Sequence, residues 1–210
     1  MADLIVTVFV TLFVIVDPIA VAPIFVGLTE GSSESDRRAM AIKGITIAGI
    51  ILVVFALIGE AFLKSLGISL AAFRIAGGAL LFILAIEMVF AHHSGIRTTT
   101  SGEEEEAIAK KDVSVFPLGI PLIAGPGAMA SVILLMGEHS GDLVKQAAVI
   151  GVLLAVLALS LAMLLVASRI VKYLGVTGVN VVSRVFGIVL GALAVQYILD
   201  GIKQSFPGLA

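Results

Sequence analysis

The chain has 210 residues, of which 60% are hydrophobic and only 13% are charged, and its formal net charge is −2. Soluble globular domains are about 45–50% apolar and about 25% charged, so this composition excludes a water-soluble domain and indicates a membrane protein. The sequence contains no cysteine, which excludes disulfide bonds and thiolate metal sites.

Six stretches with few or no charges each approach the roughly 20 apolar residues that cross the hydrocarbon layer of a membrane. In chain order they cover residues 4–29, 44–62, 75–91, 113–137, 146–168 and 185–202. No sequence remains for an aqueous domain, so we predict an all-α integral membrane protein with a single transmembrane domain over residues 1–210. The first stretch lacks a basic n-region and is longer than a signal peptide, so we expect it to be retained.

Lysine and arginine are distributed unevenly between the two sides that these spans define. Loops after the first, third and fifth spans share one side, and the other side carries only Lys64, Lys145, Lys203 and Arg74. The loops after the first, third and fifth spans carry the other nine basic residues, which are Arg37, Arg38, Lys43, Arg97, Lys110, Lys111, Arg169, Lys172 and Arg184. Because positively charged loops stay in the cytoplasm, we predict a multi-pass plasma-membrane protein with both termini outside.

The longest loop, residues 92–112, contains the polar stretch SGIRTTTSGEEEEAIAKK. Its composition is typical of a solvated linker, and a recognition role through its charges is left open. The loop separates repeat A, residues 1–91, from repeat B, residues 113–210, with three spans each. His92 and His93 are adjacent and cannot easily share one metal ion, so we expect no metal site and no other cofactor.

Two short motifs recur in the same order in both halves. The segment PIAVAP at 18–23 resembles PLIAGP at 121–126, and RIAG at 74–77 resembles RVFG at 184–187. Since three spans are an odd number, the second half must enter the membrane from the opposite side. The pattern therefore predicts two inverted-topology three-helix repeats, an arrangement that recurs in secondary transporters.

The prolines predict that helices 1 and 4 are discontinuous. Proline removes a backbone donor and breaks or kinks a helix, and freed backbone groups are tolerated in a membrane only where they line a cavity or are buried in protein. The N-terminus of a half-helix offers N–H groups to a carboxylate, and Gly125 and Gly127 allow a ligand to approach the backbone. The alternative is that these prolines only kink packed helices.

Asp17 lies about 13 residues into the first span, near the middle of the bilayer at 1.5 Å per residue. A carboxylate inside a membrane is costly and by default indicates function, such as binding an ammonium group, a proton or a cation. Asp followed by Pro is also typical of a helix N-cap. The two interpretations are compatible, and both place Asp17 at the broken segment.

Other polar side chains within the spans have simpler interpretations. Glu87 near the end of span three is expected to reach water. Arg74 and Arg184 either anchor their helices at the interface or reach inward. Together with Gln196 and Asp200 they are the candidates for a polar network, although Asp200 is equally expected to be exposed.

Four segments resemble the MarC-type integral membrane proteins, a family that includes small neutral amino acid transporters of the SnatA type. These are VDPIAVAPIF at 16–25, FRIAGGALLFILAIEM at 73–88, FPLGIPLIAGPGA at 116–128 and SRVFGIVLGALAVQYILDGI at 183–202. The resemblance implies a six-helix plasma-membrane protein with an inverted repeat and, in some members, amino acid transport. Matching the family motifs implies a substrate-binding site at Asp17, Pro18, Pro23, Gly125, Pro126 and Gly127.

A mechanism follows from the broken helices and this resemblance. A glycine, alanine or serine molecule would place its carboxylate at half-helix N–H groups and its ammonium at Asp17 or freed carbonyls. Rocking of the repeats would alternate access, with coupling to H⁺ or Na⁺ left open. The expected partners are this substrate and the lipid bilayer, without nucleic acid, and a homo-oligomer is left open.

Other function classes have less support. A channel would also use half-helices, but the sequence contains no ring of charged or carbonyl-presenting motifs. An enzyme would need a nucleophile and a base, or a metal, inside the membrane, and the spans contain no histidine, cysteine or paired aspartates. We therefore expect no enzymatic activity, and an exporter of another small solute or drug remains an alternative.

Overall fold

The computed structural model describes residues 1–90 and 112–206, so the predicted loop 92–112, with His92 and His93, lies almost wholly outside the described residues. No strand occurs in the described ranges. The helices are α1 (Ala2–Val16), α2 (Pro18–Leu28), α3 (Glu34–Ser65), α4 (Leu70–Phe90), α5 (Ser114–Ile123), α6 (Pro126–Glu138), α7 (Leu143–Leu165) and α8 (Ala167–Ser205). The prediction of an all-helical membrane protein is confirmed.

Five helical stretches are long and apolar enough to cross a membrane, and the bent pair α5 and α6 would make a sixth. The first stretch combines α1 and α2 over Ala2–Leu28. Within α8, Gly175 has a φ of 63°, so the helix breaks there and the membrane-spanning part is Thr177–Ser205. In contrast to the break at Gly175, the break between α1 and α2 and the break between α5 and α6 each lie inside an apolar stretch.

Several helices begin before the predicted spans or end after them. α3 begins ten positions before the predicted start at 44, because the Ser33 hydroxyl accepts a hydrogen bond from the Asp36 N–H at 3.1 Å. The acidic side chains of Glu34 and Asp36 also suit the positive end of a helix. Charge-free runs mark only the part of a helix in contact with lipid, so they underestimate helices that continue into water.

Side-chain contacts connect the loops at each end of the molecule. At one end Arg37 Nη1 donates to Ser168 Oγ at 2.9 Å, and Lys43 pairs with Asp112. The hydrogen bond from the Lys43 ammonium, followed by that from Ser114, lowers the pKa of Asp112 to about 2. At the other end the Ser140 hydroxyl donates to Glu60 at 3.2 Å. Which end faces the cytoplasm stays a prediction.

The longest packed seam runs between α4 and α8, and glycines allow it to close. A Cβ atom on Gly78 would lie 2.7 Å from the Ala194 carbonyl oxygen. A Cβ atom on Gly187 would lie 3.0 Å from the Ala85 carbonyl oxygen. Small residues at helix interfaces let backbones approach in membranes, where close packing replaces the hydrophobic driving force. Around this pair, α3 packs on α5 and α6, and α7 packs on α1 and α2.

Gly78→Ala should destabilise the α4–α8 seam by about 1–3 kcal/mol, because the new methyl group meets a backbone carbonyl that cannot rotate away. The measurement is the helical circular dichroism signal during heating in detergent, which suits a chain without tryptophan. Gly151→Ala is the matched control, since a Cβ atom there meets nothing within 4 Å. Equal melting temperatures for the two variants would contradict the close packing of α4 against α8 at Gly78.

Candidate functional site

The first stretch is broken at Asp17, which is fully buried and has a left-handed backbone, with φ 45° and ψ 63°. The Asp17 N–H still donates to the Phe13 carbonyl at 2.9 Å and closes α1. Pro18 has no N–H to offer the Val14 carbonyl four residues earlier. The sequence Asp-Pro therefore ends one helix and starts another, because aspartate tolerates the left-handed conformation better than most residues.

Asp17 also caps the helix that follows. Its carboxylate Oδ1 accepts the Ala20 N–H at 3.3 Å, and its carbonyl accepts the N–H groups of Ala20 and Val21 at 3.1 Å each. The N-cap interpretation of Asp17 is thus confirmed. Because Ala20 donates to Asp17, the Val16 carbonyl also loses its usual helical partner. The end of α1 consequently presents carbonyl groups of Val14 and Val16 at the break.

The second break is built differently. Phe116 and Ile120 both have extended backbones, at φ −137° and −132°, as expected for residues that precede proline. The Phe116–Pro117 and Ile120–Pro121 peptide bonds are cis. Wide turns connect these positions, with the Ala124 N–H donating to the Gly119 carbonyl five residues earlier at 2.9 Å. α5 then meets α6 at a bend of 56°.

The start of α6 carries no side-chain cap. Gly125 occupies the N-cap position and Pro126 the first helical position, and the first N–H in the helical pattern is that of Met129, which donates to the Gly125 carbonyl at 3.0 Å. The N–H groups of the buried residues Gly127 and Ala128 therefore have no acceptor within the helix. Such groups at the positive end of a helix are suited to binding an anion.

Gly125 also has a steric role at this break. A Cβ atom on Gly125 would lie 2.6 Å from the Pro121 carbonyl oxygen, so only glycine fits between α5 and α6 at this bend. The break thus falls at Gly125–Pro126, whereas the proline motif aligned Pro18 with Pro121. By local geometry, the partner of Asp17–Pro18 is Gly125–Pro126, since both pairs supply an N-cap followed by proline in the first turn.

Side-chain contacts bring the two breaks together. A Cβ atom on Gly127 would lie 3.9 Å from Ile15 in the last turn of α1, and 2.9 Å and 3.5 Å from Leu81 and Leu84 of α4. Ile15 is two residues before Asp17 in the sequence. The carbonyl end of α1 therefore lies near the N–H end of α6, and these two ends carry opposite partial charges. This junction is the candidate site.

Other predicted residues lie elsewhere. Pro23 is inside α2 and partly buried. Arg74 is about 15 Å along α4 from Leu84, at 1.5 Å per residue. Gln196 donates to Asp200 at 2.8 Å on α8. Arg184 is exposed, and within the described ranges it makes no ion pair or hydrogen bond.

Sequence reasoning missed three buried or paired side chains. Glu87 was expected to reach water, but its side chain is buried, with only 8% exposed. It follows Leu84 by one helical turn and so lies on the interior side of α4, which helical spacing from Gly77, Leu81 and Leu84 would have indicated. Glu138 and Tyr197 gave no sequence signal, because their partners lie on other helices. The described residues contain no cluster of three metal-ligating side chains.

Comparison with known proteins gives a consistent result over the whole chain. The model of the MarC family integral membrane proteins matches residues 2–206. The chain is 38% identical to the UPF0056 membrane protein YvbG of Bacillus subtilis, covering 100% of this chain and 99% of that protein. It is 32% identical to the UPF0056 membrane protein YhcE of Escherichia coli, covering 96% and 93%. No solved structure matches.

Substitutions at Asp17 should distinguish the contribution of its helix cap to stability from the contribution of its negative charge. Asp17→Asn keeps an acceptor for the Ala20 N–H and tolerates φ 45°, so its melting temperature should stay close to that of the native chain. Asp17→Ala loses the cap and strains the backbone, and should cost about 2 kcal/mol. Circular dichroism melts in detergent measure both. If Asp17→Ala were as stable as Asp17→Asn, the cap would contribute nothing.

Proposed function

The chain belongs to the MarC family of integral membrane proteins, and we propose that it is a secondary transporter of small neutral amino acids of the glycine, alanine and serine class. The observation that carries this proposal is the junction of the two breaks. There the carbonyl end of α1 lies beside the uncapped N–H end of α6, in the interior of an apolar protein.

An amino acid zwitterion matches this junction in charge. Its carboxylate would accept hydrogen bonds from the N–H groups of Gly127 and Ala128, since anions bind at helix N-termini. Its ammonium would donate to the carbonyls of Val14 and Val16, at the negative end of α1, with the Asp17 carboxylate nearby. A molecule with no net charge that carries both groups satisfies both helix ends, whereas a simple anion or cation satisfies one.

The surroundings favour a small side chain. Gly127 already lies against Ile15, Leu81 and Leu84, with distances below 4 Å from its Cβ position. The methyl group of Ala128 adds little bulk. A substrate with a large side chain would have to displace these packed groups, which costs free energy in a close-packed interior. This supports glycine, alanine and serine over bulkier amino acids.

Reciprocal contacts on the α4–α8 seam support the proposed inverted repeat. Gly78 approaches the Ala194 carbonyl, and Gly187 approaches the Ala85 carbonyl. Gly78 and Gly187 are 109 positions apart (187 minus 78), and so are Ala85 and Ala194 (194 minus 85). Reciprocal contacts of this kind are typical of a two-fold axis between equivalent elements.

Contacts of the remaining helices also support the proposed repeat. α3 contacts the broken pair α5 and α6 of the other half, and α7 contacts the broken pair α1 and α2. The contact register of 109 differs by one from the Arg-x-x-Gly match, so the counterpart of Arg74 is the buried Ser183. This explains why Arg184 does not share the environment of Arg74.

Alternating access would follow from movement of the broken helices against the unbroken ones, as in other transporters with inverted repeats. Two coupling ions fit the junction. A proton would titrate Asp17, whereas Na⁺ would bind the carbonyls that the breaks release from helical hydrogen bonds. We propose that the protein lies in the plasma membrane with both termini outside, because most lysine and arginine residues are in the loops on the opposite side.

The proposal is tested by uptake of labelled glycine, alanine and serine into proteoliposomes, with and without imposed pH and sodium gradients. We expect gradient-stimulated uptake that other small neutral amino acids compete, and the gradient that stimulates it identifies the coupling ion. Absence of uptake and exchange under every gradient would overturn the proposed substrate class.

Asp17→Asn should reduce gradient-driven uptake to the level of empty liposomes, because it removes the carboxylate while keeping the cap. Gly151→Ala, an exposed position on α7, is the transport control and should retain native uptake. Circular dichroism of Asp17→Asn establishes that the variant is folded. Native uptake by this variant would remove the Asp17 charge from the mechanism.

A further inference from the structure

The end of α6 that lies away from the break is held by an ion pair. Arg74 Nη2 of α4 lies 2.7 Å from Glu138 Oε1, at the last residue of α6. The Arg74 side chain is only 5% exposed, and that of Glu138 is 33% exposed. A buried guanidinium is costly without a partner, so this pair fixes the end of α6 to α4.

The guanidinium of Arg74 has capacity beyond this pair. Its Nε is buried and has no hydrogen-bond partner among the described residues. The buried Tyr197 of α8 interacts electrostatically with Arg74, Glu138 and Asp200. The end of α6 therefore carries a guanidinium with a free donor beside the Glu138 carboxylate, and a free guanidinium donor is suited to binding a further carboxylate.

A second packed seam, between α4 and α6, connects this pair to the junction of the breaks. Gly77 of α4 lies against Ala130 and Leu134 of α6, with its Cβ position 3.3 Å and 3.5 Å from them. Near the end of the seam, the Cβ position of Gly137 lies 2.8 Å from Leu70. From Gly127 to the ion pair is about 16 Å along α6. The Arg74–Glu138 pair is the charged contact across this seam in the described ranges, so separation of the two helices at this end requires that the pair open.

We propose that Arg74 and Glu138 form a latch that the substrate itself opens. The carboxylate of an arriving amino acid takes the place of the Glu138 carboxylate on Arg74, and the released end of α6 moves away from α4. The substrate then passes along the seam to the N–H groups of Gly127 and Ala128. The identity of the substrate rests on the proposed function, whereas the latch itself rests on the ion pair.

Cysteine labelling tests the latch without any transport assay. The native chain has no cysteine, so Leu134→Cys places a single thiol on the seam, at a fully buried position. In nanodiscs a water-soluble maleimide should label it slowly. Adding Glu138→Gln should accelerate labelling about tenfold or more, because Arg74 loses its charged partner. The exchanged pair Arg74→Glu with Glu138→Arg should restore slow labelling.

Leu153→Cys, a fully buried position on α7, is the matched control and should stay unlabelled in every background. Labelling of Leu134→Cys that Glu138→Gln leaves unchanged would overturn the latch. If the exchanged pair did not restore slow labelling, although Leu153→Cys stayed unlabelled in the same background, the latch would be overturned as well.

Substrate dependence tests the exchange on Arg74. Alanine should accelerate labelling of Leu134→Cys in the otherwise native chain, and should have no further effect when Arg74→Gln is combined with Glu138→Gln, because no guanidinium then remains at the latch to bind the substrate carboxylate. Equal acceleration in both backgrounds, or none in the native background, would overturn the exchange. Uptake by the native chain is measured in parallel, so a failure of this inference is distinguishable from a failure of the proposed function.

Discussion

The requirement that backbone N–H and C=O groups be satisfied within the hydrocarbon layer governs this structure. An unbroken helix meets it internally, and a broken one meets it only with other protein groups or a bound molecule. The two breaks meet it unequally. Asp17 supplies a carboxylate to the start of α2, whereas the N-cap residue of α6, Gly125, has no side chain with which to cap that helix. That difference is the reason why the proposed function places the substrate carboxylate at the start of α6.

The helices that are continuous across their apolar stretches, including α8 beyond its break at Gly175, hold these breaks in position. α3 lies against α5 and α6, and α7 lies against α1 and α2, so each broken pair packs on a continuous helix from the other half. α4 and α8 close along a glycine seam between them. The continuous helices therefore determine how near the end of α1 comes to the start of α6, and the broken ones carry the backbone groups that lack partners within a helix. In the proposed transporter, the elements that would bind the substrate are therefore also the elements that would move.

Local chemistry in the sequence predicts a break in each of the two stretches, because proline and an aspartate within apolar stretches have direct backbone consequences. It placed the second break less well. Proline spacing pointed to Pro121, but the cap geometry lies at Gly125–Pro126, where the Pro121 carbonyl leaves room only for glycine. The predicted start of α3 was ten residues too late, because the apolar composition of a lipid-facing segment does not indicate how far the helix continues into water.

Contacts between distant residues were beyond sequence reasoning. Arg74 and Glu138 are 64 positions apart, and nothing in either local sequence indicates the pairing. The Arg-x-x-Gly match suggested similar roles for Arg74 and Arg184, yet a shift of one residue turns a side chain about 100° around a helix, at 3.6 residues per turn. Arg74 is consequently buried and Arg184 exposed. Packing between helices decides which of two adjacent positions faces the interior.

The central claim is that the junction of the breaks recognises both charged groups of one small molecule. Equilibrium dialysis of the purified protein with labelled alanine tests it most directly, using alaninamide and N-acetylalanine as competitors. Each analogue lacks one charged group, so each should compete about tenfold to a hundredfold more weakly than alanine, the loss expected for charge-assisted hydrogen bonds. If alaninamide competed as well as alanine, the start of α6 would not be a carboxylate site.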